Sequence, residues 1–260
     1  MWDYFYLIHI QYLGYRFHGW AKQPKVKTLH QMVDKTFDFV LGDGNFKTLG
    51  SSRTDAMVSA NSMAFELFLK DPFDVDLMLE ELNSNFPPDM RAISVEEVDA
   101  SFNIIQSPRN KEYVYLFACG EKAHPFSSPY LYTFKESLNI ELMQEGALLF
   151  EGEHYFKRYC TKPKDGSEFY RTIDYSRITK NELISASFFP KETWAYHIHS
   201  KGFLRNQVRL MMGQLYELGK GSISLSELKE SLTEKEAPHF DYIAPASGLI
   251  LNKTNFKRNH

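Results

Sequence analysis

Apolar and polar positions alternate through residues 2–11, with Tyr4, Tyr6, Ile8 and Ile10 on one face, and this period of two predicts a strand. Leu29, Met32, Val33, Phe37 and Val40 then recur at helical spacing ahead of Gly42. They predict an amphipathic helix with Thr28 and Gln31 as its capping box. A short strand is expected at Phe46–Leu49, and alternation returns over 62–69 through Met63, Phe65, Leu67 and Leu69. Asp74 caps a second helix through Val75, Met78, Leu79 and Leu82, which Pro87-Pro88 ends, and 91–98 reads as a further strand. The order β-α-β-β-α-β is the ferredoxin-like pattern.

The second half repeats the theme less regularly. A strand at 111–118 leads to a helix from Asn139 to about Phe150, and strands are expected near 170–178, 184–189 and 193–200. A long helix follows at 203–218, with Leu204, Val208, Met211, Met212, Leu215 and Leu218 on its apolar stripe. Ser224 and Glu227 cap a short helix, and Leu249–Leu251 reads as a last strand. Segments 101–110 and 120–136, the latter with Pro125 and Pro129, read as linker and insertion. The expected fold class is α+β: two ferredoxin-like halves, 1–100 and 101–260, sharing or abutting antiparallel sheets.

The chain has 260 residues, enough for one large or two small domains, and 43% hydrophobic residues, enough for packed cores. No apolar run approaches the ~18 residues of a membrane-spanning helix. The opening residues alternate and carry Asp3, unlike a signal peptide. Cys119 and Cys160 fit neither a metal nor a disulfide framework, so a cytoplasmic protein is expected. Thirty Lys and Arg against 33 Asp and Glu leave a net charge of −3, but the signs are segregated. Residues 4–33, 154–164 and 193–216 contain no acid; they carry Arg16, Lys22, Lys25 and Lys27, then Lys157, Arg158, Lys162 and Lys164, then Lys201, Arg205 and Arg209. Residues 71–99 hold nine acids and one base, Arg91. Local potential governs phosphate binding more than net charge, so such segregation can build a basic face on an acidic molecule.

Candidate chemistry centres on Gly50-Ser51-Ser52-Arg53-Thr54-Asp55-Ala56, a small polar loop between two strands. A carboxylate there can serve as nucleophile, general base, metal ligand or loop cap. Nucleotide-binding glycine loops, the Gly-x-Ser-x-Gly elbow, HExxH and paired Cys-x-x-Cys are all missing from the sequence, which argues against a dedicated metal or nucleotide cofactor. His197 and His199 share a strand face but have no evident third ligand. Arg205 and Arg209, four residues apart, are expected to project from one helix face as partners for an acid. Tyr113 and Tyr115 share a strand face after Lys111, and Phe17-His18-Gly19-Trp20 sits in the first acid-free stretch; both patterns suit contact with unstacked RNA bases.

In this order the segments resemble the tRNA pseudouridine synthase A family over nearly the whole chain. Tyr15-Arg16-Phe17-His18-Gly19-Trp20 with Gln23-Pro24 is similar to the opening F-x-G-W-Q-x-Q-P. Arg53-Thr54-Asp55-Ala56 with Val58 and Ala60 resembles G-R-T-D-A-G-V-H-A. Asn83, Pro87-Pro88-Asp89 and Val95 follow the L-N-x-x-L-P-x-D segment, and Lys111-x-Tyr113-x-Tyr115 matches K-x-Y-x-Y. Gly202-Phe203-Leu204-Arg205 through Val208-Arg209, then Pro245-Ala246-Ser247-Gly248-Leu249, resemble the closing motifs.

The resemblance implies the pseudouridine synthase fold, its two halves meeting around a central cleft, and isomerisation of uridine in the tRNA anticodon arm. It assigns Asp55 as nucleophile, Arg53 to holding the target nucleotide out of the stack, Tyr113 to packing on the flipped base and Arg209 to pairing with Asp55. Arg205, Phe17, His18 and Trp20 become candidate substrate contacts. No cofactor and no metal are implied, and the partners are tRNA and a second copy in a homodimer. The chain departs from the family's pattern at Ala21, Ser52, Met57 and Ser59, where glutamine, glycine, glycine and histidine are usual. Met57 occupies a loop position where glycine would permit positive φ. The alternative is a tRNA-binding or remodelling protein on the same fold whose loop has lost catalysis.

Overall fold

The computed structural model describes residues 2–42, 44–163, 166–234 and 238–256. The chain forms two compact units, Met1–Arg109 with Leu251–His260, and Asn110–Ile250.

The first unit contains β1 (Tyr4–Tyr12), α1 (Leu29–Leu41), β2 (Phe46–Gly50), β3 (Ser59–Leu69), α2 (Val75–Asn85) and β4 (Met90–Glu97). β1 runs antiparallel to both β3 and β4, and β2 pairs the far end of β3, giving the ferredoxin-like order β4-β1-β3-β2. The register sets Ile8 opposite Phe65 and Ile10 opposite Met63, so the predicted apolar face of each strand is one continuous buried surface. Leu29, Val33 and Phe37 of α1 and Met78 and Leu82 of α2 cover it, all but fully buried. Each such side chain contributes roughly 1.5–3 kcal/mol on burial. Asp74 caps α2 by accepting from the Leu77 amide, as its position predicts. Asn83 ties α2 to β4: its side-chain oxygen accepts from Ala92 N at 2.9 Å and its amide donates to Ala92 O at 3.1 Å.

The capping box expected at Thr28 and Gln31 is not formed. The amides of Leu29 and His30 donate instead to the carbonyls of Gly19 and Trp20, at 3.0 and 3.1 Å. Main chain thus satisfies the first two amides of the helix, while Thr28 Oγ1 is buried with no hydrogen-bond partner among the described residues.

The second unit follows with β5 (Pro108–Cys119), β6 (Tyr132–Phe134), α3 (Ile140–Leu148), β7 (Gly152–Tyr155), β8 (Tyr170–Lys180), β9 (Trp194–Ser200), α4 (Gln207–Gly219) and α5 (Leu225–Glu230); of the last strand, β10 (Leu249–Phe256), only Leu249 and Ile250 belong to this unit. β9 pairs antiparallel with β5 on one side and β8 on the other, with β7 added beyond β8. β6 runs parallel to β5, a departure from the purely antiparallel sheets expected; neither β6 nor β7 is legible in so few residues. The helices α3 and α4 approach at glycines. A Cβ on Gly146 would stand 2.3 Å from Leu218 Cδ2, and one on Gly219 would stand 2.6 Å from Met143 Sδ. The Ser224–Glu227 capping box of α5 is present.

Two expected elements change. Residues 184–189 form no strand: Asn181 Oδ1 accepts from Leu183 N at 3.0 Å, and Phe189 N closes a turn on Ala186 O at 3.0 Å. The apolar Leu183, Ile184 and Phe189 pack on Val114, Leu116 and Ala195 from this loop. The long helix begins at Gln207, not at 203, because Asn206 is left-handed (φ 61°) and cannot lie inside a right-handed helix.

Candidate active site

The loop 51–58 joins β2 to β3, and residues 14–20 hold it from the side. Trp20 N donates to Thr54 O at 3.1 Å, Met57 N to Phe17 O at 3.0 Å, and Gly14 N to Ser59 Oγ at 2.9 Å. The buried Tyr12 hydroxyl lies 3.0 Å from Thr54 Oγ1. Inside the loop, Val58 N closes a turn on Asp55 O at 3.3 Å. Asp55 is thereby fixed between anchored neighbours: it is half-buried, Thr54 is buried, and Arg53 and Ala56 are exposed. Gly19 (φ +84°) is required by this approach, since a Cβ there would lie 2.6 Å from Thr54 O. Met57 adopts φ 67°, so the loop keeps the left-handed turn that glycine would make easily, at a cost of about 1–2 kcal/mol. Ser59, in place of the usual histidine, supplies the acceptor for Gly14 N. Tyr12 and Gly14 are supports that the sequence patterns did not single out, and Ser59, noted there only as a departure, is a third; the glycine punctuation at 14 and 19 was the available signal.

Phe17 and Trp20 are 1% and 3% exposed. The Trp20 ring lies over Gly50, whose Cβ would meet Nε1 at 2.3 Å, and stacks on His30 at 5.1 Å. These two rings therefore brace the loop from the core, and of the aromatic trio only His18 is exposed. His30 Nε2 meets Thr48 Oγ1 at 2.7 Å, and Thr48 donates to Asp34 Oδ1 at 2.5 Å. Asp34 also pairs with Lys22. Burial lowers the His30 pKa, although Asp34 pulls the other way.

The second unit carries the other predicted residues. Tyr113 on β5 is half-buried, with Phe203 edge-on at 5.3 Å. Lys111, half-buried, has its pKa lowered by burial. The buried Tyr115 hydroxyl donates to Pro245 O at 2.8 Å; burial raises its pKa and the Arg209 charge opposes that. Arg209 lies in the first turn of α4, its Nε donating to Ala244 O at 2.7 Å while Ala244 N donates to Arg209 O at 3.1 Å. Arg205 precedes the helix, beyond the left-handed Asn206, so the expectation of a shared helix face with Arg209 does not hold.

His197 Nε2 contacts Thr179 Oγ1 at 3.3 Å and His199 stacks on Tyr175 at 4.8 Å; burial lowers both pKa values. Among the described residues no group of three or more His, Cys, Asp or Glu gathers as metal ligands would. The 680 Å³ cavity along Leu7, His9, Glu96, Phe102 and Phe256 includes none of the predicted site residues.

The first unit thus presents an anchored, half-buried carboxylate at Asp55 on its strand connection, and the second carries Tyr113 and Arg209. The family profile of tRNA pseudouridine synthases matches residues 147–257. Similar proteins include tRNA pseudouridine synthase A of Dictyoglomus turgidum, 30% identical over 251 residues, covering 96% of this chain and 98% of the relative. The enzyme of the same name from Clostridium botulinum is 29% identical over 244 residues, covering 94% and 96%. That of Ureaplasma urealyticum is 28% identical over 252 residues, covering 96% and 99%. The chain belongs to the tRNA pseudouridine synthase family.

Proposed function

We propose that this protein isomerises uridine to pseudouridine in the anticodon arm of tRNA, with Asp55 as the attacking carboxylate. The observation that carries this reading is the clamped Asp55 loop in a chain that aligns with tRNA pseudouridine synthases over almost its full length. In the reaction the N1–C1′ bond of the nucleoside breaks and a C5–C1′ bond forms. The C5 hydrogen leaves as a proton and N1 regains one, so atoms and electrons balance with no redox partner. The base must leave the stack first, which costs a few kcal/mol.

Arg53, exposed beside Asp55, suits holding the displaced nucleotide. Tyr113 supplies a wall for the flipped base, and Arg209 is the partner expected for the carboxylate. Arg205 and His18, both exposed, are placed to meet RNA. Action in the cytoplasm and assembly as a homodimer complete the proposal. The left-handed Met57 favours catalysis over binding alone, because the substitution has not abolished the turn around Asp55.

The test is tritium release from tRNA labelled at uridine C5, comparing wild type with Asp55→Asn. Release by wild type and a loss of at least ~10³-fold in Asp55→Asn, with tRNA affinity kept, is expected. Asp55→Asn activity within about tenfold of wild type refutes the nucleophile. Tight tRNA binding by a wild-type protein that releases no tritium refutes the enzyme.

A further inference from the structure

The sheet of the first unit has a second face, turned away from the apolar surface that α1 and α2 cover. Register places Leu7, Glu66 and Leu49 side by side across it, with Phe5, Phe68 and Lys47 in the next row. The segment after β4 packs on this face: Ile104 is fully buried with Leu7 and Ala64, and Phe102 joins the same cluster. Glu66 therefore lies in an apolar layer, 2% exposed. Among the described residues its carboxylate accepts one hydrogen bond, from Ile104 N at a long 3.4 Å. Lys47 acts on it electrostatically, but the ammonium stands over the Phe68 ring at 4.9 Å. Burial pushes the Glu66 pKa up, opposed by the Ile104 amide and the Lys47 charge. A carboxylate kept in such surroundings is costly unless further donors reach it. Beside it opens a cavity of about 290 Å³, lined by Glu66, Leu49, Phe68, Phe102, Asn103 and Gln106 among others. Asn103 orders the outer wall, its Oδ1 accepting from Ile105 N at 3.0 Å and Gln106 N at 3.1 Å.

We propose that this cavity binds a guanidinium group, with Glu66 as its counter-ion and Phe68 and Phe102 as its aromatic walls. The inference goes beyond the uridine chemistry above and does not depend on it. Three observations select the occupant. The buried carboxylate calls for N–H donors and repels anions. Glu66 is the one acid in the lining, and no metal-ligand group gathers among the described residues, so a divalent cation would lack its oxygen ligands. The walls are rings and aliphatic side chains, and a planar guanidinium stacks on rings and sheds water more readily than an ammonium does. A free small molecule and an arginine side chain of a polypeptide carry the same group, and the cavity accepts it from either.

The test is isothermal titration of the full chain with n-butylguanidine, with n-butylamine, and with an acetylated and amidated glycine-arginine-glycine tripeptide. Wild type should bind n-butylguanidine saturably, with a Kd on the order of 1 mM or tighter. Glu66→Gln keeps the shape of the side chain but not its charge, and should weaken that binding by about tenfold or more. n-Butylamine carries the same charge without the planar fork and should bind more weakly than n-butylguanidine. A tripeptide that binds at least as tightly as n-butylguanidine assigns the site to an arginine of a polypeptide; binding of n-butylguanidine alone assigns it to a free small molecule. If Glu66→Gln does not fold, the surface variant Lys47→Gln removes a like charge near the cavity and should tighten binding by about two- to threefold. Pseudouridine formation by Glu66→Gln should equal that of wild type. No saturable binding by wild type, binding kept in full by Glu66→Gln, or equal affinity for n-butylamine overturns the site. Binding by a wild type that forms no pseudouridine leaves the site standing and removes the function proposed above.

Discussion

Replacing Gly19 by alanine probes whether the 14–20 segment positions Asp55. The new Cβ would stand 2.6 Å from Thr54 O, 3.0 Å from Asp55 C and 3.1 Å from Ala56 N, all main-chain atoms of the loop. Restoring an ordinary contact of about 3.4 Å pushes the Thr54 carbonyl by about 0.8 Å. That carbonyl accepts from Trp20 N, so the hydrogen bond and the Asp55 carboxylate move together. Left-handed φ for alanine adds about 1–2 kcal/mol of strain. Gly42 offers the control: it has φ +78°, but a Cβ there meets nothing within 4 Å. Both variants should lose about 2–8 °C in thermal midpoint from strain alone, Gly19→Ala more than Gly42→Ala. Only Gly19→Ala should lose turnover, by ~10²-fold for a displacement near 1 Å, with tRNA affinity nearly unchanged. The assay is tritium release at saturating tRNA beside a thermal melt of each variant. Equal turnover in the two variants would refute the view that this segment sets the position of Asp55.

Tyr12→Phe removes the hydroxyl that meets Thr54 Oγ1 and should cost about 1–2 kcal/mol in urea unfolding with a fall in kcat; unchanged stability argues against the contact. Burial holds His30, His197 and His199 below the usual histidine range, so below pH ~6.5 the unfolded chain takes up protons that the folded chain refuses. Stability contributed by their neutrality is therefore intact above that pH and lost as pH falls; urea midpoints at pH ~7.5 and ~5.5 should show the loss, and His30→Gln should reduce it. Asp74→Ala removes the acceptor for Leu77 N and should destabilise by about 1 kcal/mol while leaving tritium release unchanged; a fall in activity matching the stability loss would tie α2 to the site.

The sequence alone determined where most elements lie, because their cause is local. Alternation in β1 and β3, the 3.6-residue stripe of α1, and the caps at Asp74 and Ser224 each act within a few residues. The polar loop around position 55 was expected between two strands and lies between β2 and β3. Tertiary structure decided what depends on atoms distant in the chain. Thr28 does not cap α1: its hydroxyl is buried without a partner among the described residues, while the Gly19 and Trp20 carbonyls take the first two amides of the helix. Residues 184–189 became a loop because Asn181 and a turn satisfy backbone groups that a strand would have offered to a ladder. Phe17 and Trp20 went into the core because burying their rings contributes more than exposing them. Arg205 parted from the helix of Arg209 because Asn206, held to Thr161, turned left-handed. Periodicity reports which face of an element is apolar, but only the folded chain shows which partner each polar group finds.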